Sequence, residues 1–90
     1  MPLTFNPDAF SHINNQPKRD KKRLLQKAEW LWIHRFEINH FPLKGNLSGY
    51  YKRPVGQYRL IYTYDEDVDE IYICWAGLRR DIYNIPPKIV

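Results

Sequence analysis

Apolar residues follow two different periods along this chain. In the first half they recur at helical spacing, and from Gly45 onward at every second position. Leu3-Thr4-Phe5 is a short apolar-polar-apolar run and reads as a first strand. Asn6-Pro7-Asp8 then opens a helix. Asn is a good N-cap, Pro is tolerated at the first helical position, and an acid in the first turn suits the helix dipole. This helix carries Ala9, Phe10 and Ile13 and ends near Asn14-Asn15-Gln16-Pro17.

A longer helix is predicted from about Lys18 to about Phe36. Leu24, Leu25, Ala28, Leu31, Trp32 and Phe36 fall on one stripe at 100° per residue. Trp30 and Ile33 lie off that stripe, so this helix needs a second apolar partner. Pro42 forbids simple continuation. Strands are predicted at about 49–54, 57–64 and 70–76. Val55-Gly56-Gln57 supplies one hairpin turn and the acidic run Asp65 to Asp69 the other. The tail, 77–90, returns as a short segment and runs out through Pro86-Pro87. The order β-α-α-β-β-β, with two N-terminal helices packed on one face of a small antiparallel β-sheet of about four strands, is an α+β fold. Residues 1–90 form a single domain.

Ninety residues bury only about 60–65% of their unfolded surface, so the core is small. Three Trp, seven Tyr and four Phe compensate in part. Cys74 is the lone cysteine, which excludes an internal disulfide and suits an intracellular, cytoplasmic protein with a buried thiol. No apolar run approaches the roughly 18 residues of a membrane span, and the first residues lack a signal-peptide pattern. The net charge of +4 suits a nucleic acid or an acidic protein as partner.

Several chemistries are absent. There is no CxxC, HExxH, GxSxG or Gly-rich phosphate loop. His12, His34 and His40 show no ligand spacing, and the acidic loop lacks the EF-hand glycine, so neither a metal nor another cofactor is expected. What remains is cationic. Alternation puts Lys52 and Arg53 on opposite faces unless Pro54 introduces a bulge. Arg59 lies on the partner strand, and Arg79 and Arg80 follow the last one, with Tyr83 just beyond. Strands about 4.8 Å apart can bring Lys52 or Arg53, Arg59 and Arg79 onto one patch. Such a patch suits a phosphodiester, and the matching reaction is attack of a ribose 2′-OH on its own 3′-phosphate. Guanidinium forks meet the charge that develops on the phosphoryl oxygens, a lysine among like charges can serve as base, and a tyrosine can stack on a base or pass a proton. Ordinary surface cations on an open sheet face are the competing reading.

"PLKGNLSGYYKRPVGQYRLIY" (42–62), an acidic turn and "IYICWAGLRRDIY" (71–83) together resemble the RelE/ParE toxin superfamily of bacterial type II toxin–antitoxin systems, on its RelE/YoeB-like side. The resemblance runs along the whole chain. It implies a toxin that is a metal-independent mRNA endoribonuclease acting in the ribosomal A site, silenced by a cognate antitoxin, with operator DNA bound only through the antitoxin complex. It carries the catalytic roles onto Arg59, Arg79 (Arg80 as the off-by-one option) and Tyr83, and onto Lys52 and Arg53. Lys44, Arg80 and the cations Lys18, Arg19, Lys21 and Lys22 become candidate nucleic-acid contacts. Trp30 and Ile33 become a candidate antitoxin-docking patch, with packing against the first helix or the tail as the alternative. Two positions depart from the pattern. Leu78 stands where many relatives carry His or Lys, and Phe41 where the YoeB-like subgroup carries an acid. A dedicated His or Glu base is therefore missing. A ParE-like inhibitor of DNA gyrase and a catalytically inactive antitoxin-binding module stay open beside the nuclease.

Overall fold

The computed structural model describes residues 3–84, with side chains through Ile82. The elements are β1 (Leu3–Phe5), α1 (Pro7–Asn14), α2 (Lys18–Ile33), β2 (Phe41–Pro42), β3 (Tyr51–Val55), β4 (Tyr58–Asp65) and β5 (Glu70–Leu78), followed by a 3-10 turn, Arg79–Asn84. The Asn6 side chain caps α1 by accepting the Asp8 N–H at 2.8 Å.

The five strands form one sheet in the order β1-β5-β4-β3-β2. The three long strands are antiparallel, as the short hairpin turns between them require. Two features lie beyond that pattern. β1 joins β5 in parallel, since α1 and α2 carry the chain away before β3 begins, and two residues, Phe41 and Pro42, form an edge strand beside β3.

Both helices cover one face. Ile13 of α1 and Leu24, Ala28 and Leu31 of α2 pack on Leu60, Tyr62, Ile71 and Ile73 of the sheet. All eight are completely buried. The predicted stripe therefore holds at its centre, but α2 stops at Ile33 and leaves Phe36 74% exposed. Arg35 explains the stop. Its Nη1 donates to the Trp32 carbonyl at 2.7 Å, satisfying a helix-end acceptor. Its Nε and Nη2 grip both Asp69 oxygens, at 2.7 and 2.8 Å, in the β4–β5 turn. The same guanidinium lies 3.5 Å from the Trp32 ring centroid.

Opposite Ile61 the ladder breaks. Ile61 pairs with Trp75 and Tyr62 with Ile73, so Cys74 is the extra residue of a bulge on β5. Strict alternation would put Cys74 and Trp75 on opposite faces. With the bulge, both pack in the second cluster, around Ile61, on the face away from the helices. Burial pushes the Cys74 thiol up to about 11, so it is an inert structural group at neutral pH. Among the described residues no helix is long and apolar enough to cross a membrane.

Candidate nucleic-acid interface

The face free of helices carries the candidate site. Registers place its side chains in rows across the sheet. Lys52, Ile61 and Trp75 form one row, and Pro54, Arg59 and Gly77 the next. Arg79 continues the pattern, its N–H donating to the Gln57 carbonyl at 2.7 Å. Rows on one face are about 6.6–6.8 Å apart, two residues of strand rise.

Over these rows opens a cavity of about 650 Å³. Five cations line it, Lys44, Lys52, Arg59, Arg79 and Arg80, with Pro42, Leu43, Leu47 and Ile82 as its apolar walls. Among the described residues that line it, none is acidic. Lys44 arrives on the loop before a short 3-10 turn, Gly45–Leu47, where Gly45 adopts φ 65°. Arg59 is held in place by its own hairpin turn, Nη1 donating to the Gly56 carbonyl at 3.0 Å and the Tyr58 carbonyl at 2.8 Å. Both bonds use one nitrogen of the guanidinium fork. The group is thus oriented before any ligand arrives.

Arg53 is not part of this cluster. As alternation requires, it points to the helix side, where Nη2 donates to the Asn39 carbonyl at 2.6 Å and the guanidinium lies 4.9 Å from the Phe41 ring centroid and 5.5 Å from that of Trp30. Pro54 does not disturb the register, because β3 and β4 pair without a shift from Tyr51 to Val55. Leu78 also packs against the helix-side core, so that position adds no side chain to the cavity. Tyr83 belongs to the 3-10 turn that follows β5, and its side chain lies outside the described residues.

Lys18, Arg19, Lys21 and Lys22 sit on α2, in the layer behind the sheet, and are not brought together with the cavity. Asp20, within the same run, is turned inward and accepts the Tyr58 hydroxyl at 3.0 Å. Burial first, and this bond second, raise the Tyr58 pKa.

Trp30 and Ile33 have different surroundings. Ile33 is 58% exposed, whereas Trp30 is half-buried against the core with Lys27 4.3 Å from its ring centroid. Trp30 lines a groove of about 430 Å³ between α2 and the β3–β4 hairpin, beside Arg23 and Lys27. The sequence pattern pointed to Trp30. It did not place Arg23 or Lys27 in this groove, because their position beside the hairpin depends on how α2 crosses the sheet.

A further polar network lies on the helix side. His40 Nε2 meets the Arg35 carbonyl at 3.0 Å, and its Nδ1 meets the Tyr62 hydroxyl at 2.6 Å. A carbonyl only accepts, so Nε2 carries the proton and, in the neutral ring, Tyr62 donates to Nδ1. His40 thereby ties the segment after α2 to β4.

No protein-family model matches the sequence, and no curated protein matches it. Solved structures do. The toxin–antitoxin complex RelBE2 from Mycobacterium tuberculosis contains a chain 23% identical, with TM-score 0.75 over 86% of this chain and 95% of that one. An archaeal RelE–RelB complex from Pyrococcus horikoshii gives 22% identity and TM-score 0.66 over 86% and 92% of the two chains. A YoeB/ParE toxin from Agrobacterium tumefaciens gives 16% identity and TM-score 0.69 over 88% and 99%. TM-scores of 0.66 to 0.75 over near-complete chains at low identity show a shared fold, and the fold of this protein is therefore that of the RelE/ParE toxins.

Proposed function

We propose that this protein is the toxin of a type II toxin–antitoxin system and that it cleaves mRNA in the ribosomal A site. The observation that carries the reading is the five-cation cavity on the open sheet face. A phosphodiester fits it in charge, and its oxygens suit the guanidinium forks of Arg59 and Arg79.

The 2′-OH attacks the adjacent phosphorus, forming a 2′-O–P bond as the P–O5′ bond breaks. The products are a 2′,3′-cyclic phosphate and a 5′-OH. Negative charge grows on the phosphoryl oxygens, and Arg59 and Arg79 stabilise it in place. Lys52 takes the 2′-OH proton, and Tyr83 passes a proton to the leaving 5′-oxygen. Lys44 and Arg80 hold flanking phosphates. The ribosome aligns the 2′-OH with the leaving oxygen, and this positioning supplies much of the rate where a His or Glu base is missing.

A cognate antitoxin is the protein partner. The groove at Trp30, with Arg23 and Lys27 on its rim, suits an acidic segment with an apolar anchor, and operator DNA is reached only through that complex. Such a toxin works in the cytoplasm, where ribosomes are. A second reading, inhibition of DNA gyrase without chemistry, draws on the likeness to the YoeB/ParE toxin, since one fold can host both functions.

Primer extension on an mRNA in a reconstituted translation reaction tests the proposal. Discrete new 3′ ends within codons are expected when the protein is added. An intact message, with supercoiling by gyrase suppressed in a parallel reaction, would overturn the nuclease reading in favour of the second.

A further inference from the structure

Trp75 is a large aromatic on the cation-bearing face that the chemistry above does not use. The β5 bulge turns it to that face, one row from Arg59 and in the same row as Lys52. Its indole does not stand upright from the sheet. A Cβ placed on Gly77 would lie 2.5 Å from Trp75 Cζ2 and 2.6 Å from Cη2, so the six-membered ring lies directly over the Gly77 backbone. Gly77 is the register partner of Arg59. The ring therefore reaches along β5 toward the Arg59 row and the cations beyond it. It packs on the Ile61–Cys74 cluster, as do Leu43, Leu47 and Ile82 of the cavity wall, and remains only half-buried. Glycine at position 77 is what allows this: its φ is not in the left-handed region, so the space it leaves is for the ring and not for the backbone.

A flat aromatic beside a phosphate-binding cluster is the arrangement that holds a single-stranded nucleotide by its base while cations hold its phosphate. We infer that Trp75, beside the cavity and not in its lining, is a base-stacking platform for this site, and that it sets a preference for a purine at the nucleotide next to the phosphate held by Arg59 and Arg79. Purines present the larger π-face, and modest sequence preference of this kind follows from stacking strength. The inference rests on the ribonuclease reading and adds a specificity residue to it.

The test uses the full chain in the translation reaction described above, on messages that differ in a single base beside the cleavage position. The readout is the ratio of cleavage at purine over pyrimidine. The unaltered protein is expected to favour purine several-fold. Trp75→Leu is expected to bring the ratio close to one, and Trp75→Phe, with its smaller ring, to lower it part of the way. Arg59→Ala is expected to slow every message by the same factor and leave the ratio alone. A merely structural Trp75 would change overall rate and leave the ratio intact, which would overturn the inference while the nuclease reading stands. Absence of preference in the unaltered protein overturns it as well. Absence of all cleavage removes the nuclease reading, and the stacking role with it. Should Trp75→Leu fail to fold by thermal unfolding, the comparison of Trp75→Phe with the unaltered protein decides: the smaller ring must lower the ratio, and an unchanged ratio is a refutation.

Discussion

Replacing Arg59 by alanine separates chemistry from folding. The side chain is half-exposed on the open face. Its two bonds to the Gly56 and Tyr58 carbonyls belong to the hairpin turn, and the former is exposed to solvent. Their combined loss is worth about 1 kcal/mol. For a domain this size that lowers Tm by roughly 4–8 °C. The effect on catalysis is far larger. A fixed, charge-matched donor aimed at the developing oxyanion contributes on the order of 10²–10³ in rate, about 2.7–4 kcal/mol. Arg59→Ala should therefore remove nearly all cleavage from a protein that remains folded. Arg59→Lys, which keeps the charge and loses the fork, should fall between the two. Cleavage is measured by primer extension at saturating protein, with thermal unfolding on the same samples. A rate for Arg59→Ala within threefold of the unaltered protein would refute the assignment, because no preorganised guanidinium in the reacting site can be that dispensable.

Gly77→Ala should destabilise by about 1–3 kcal/mol, since its Cβ cannot share space with the Trp75 ring. Combined with Trp75→Leu the penalty should largely vanish, which denaturant unfolding of the two single variants and the double variant will show as coupling. The Arg35–Asp69 clamp predicts acid sensitivity. Arg35 holds the Asp69 carboxyl below its ordinary range, so the clamp contributes stability that is complete above about pH 3.9 and is lost as pH falls toward the lower folded value. Asp69→Asn should flatten that acid limb in urea titrations at a series of pH values. A further expectation concerns Cys74, which should react with iodoacetamide at neutral pH only at the rate of global or local unfolding, because burial disfavours its thiolate. Fast labelling of the native protein would show that the cluster around Ile61 opens.

Local pattern determined much of this molecule. The helical stripe through Leu24, Ala28 and Leu31, the Asn6 cap and the period-two strands are short-range features, each legible from a few neighbouring residues. The same rule correctly set Lys52 and Arg53 on opposite faces, since a strand without a bulge has no other choice. It could not say which of the two would join Arg59. That depends on which face the helices cover, and helix cover is a matter of packing between segments distant in sequence. α2 ends at Ile33, short of its apolar stripe, for a similar reason: Arg35 leaves the helix for Asp69, a partner 34 residues away. The bulge at Cys74 was equally out of reach, because an extra residue is recognised only against the partner strand. It is this bulge that puts Trp75 on the cationic face. Sequence thus determined the elements and the inventory of cations, through interactions a few residues long. Tertiary structure alone decided which cations share a cavity and which aromatic lies beside them, because both follow from strand register and from the side of the sheet the helices bury.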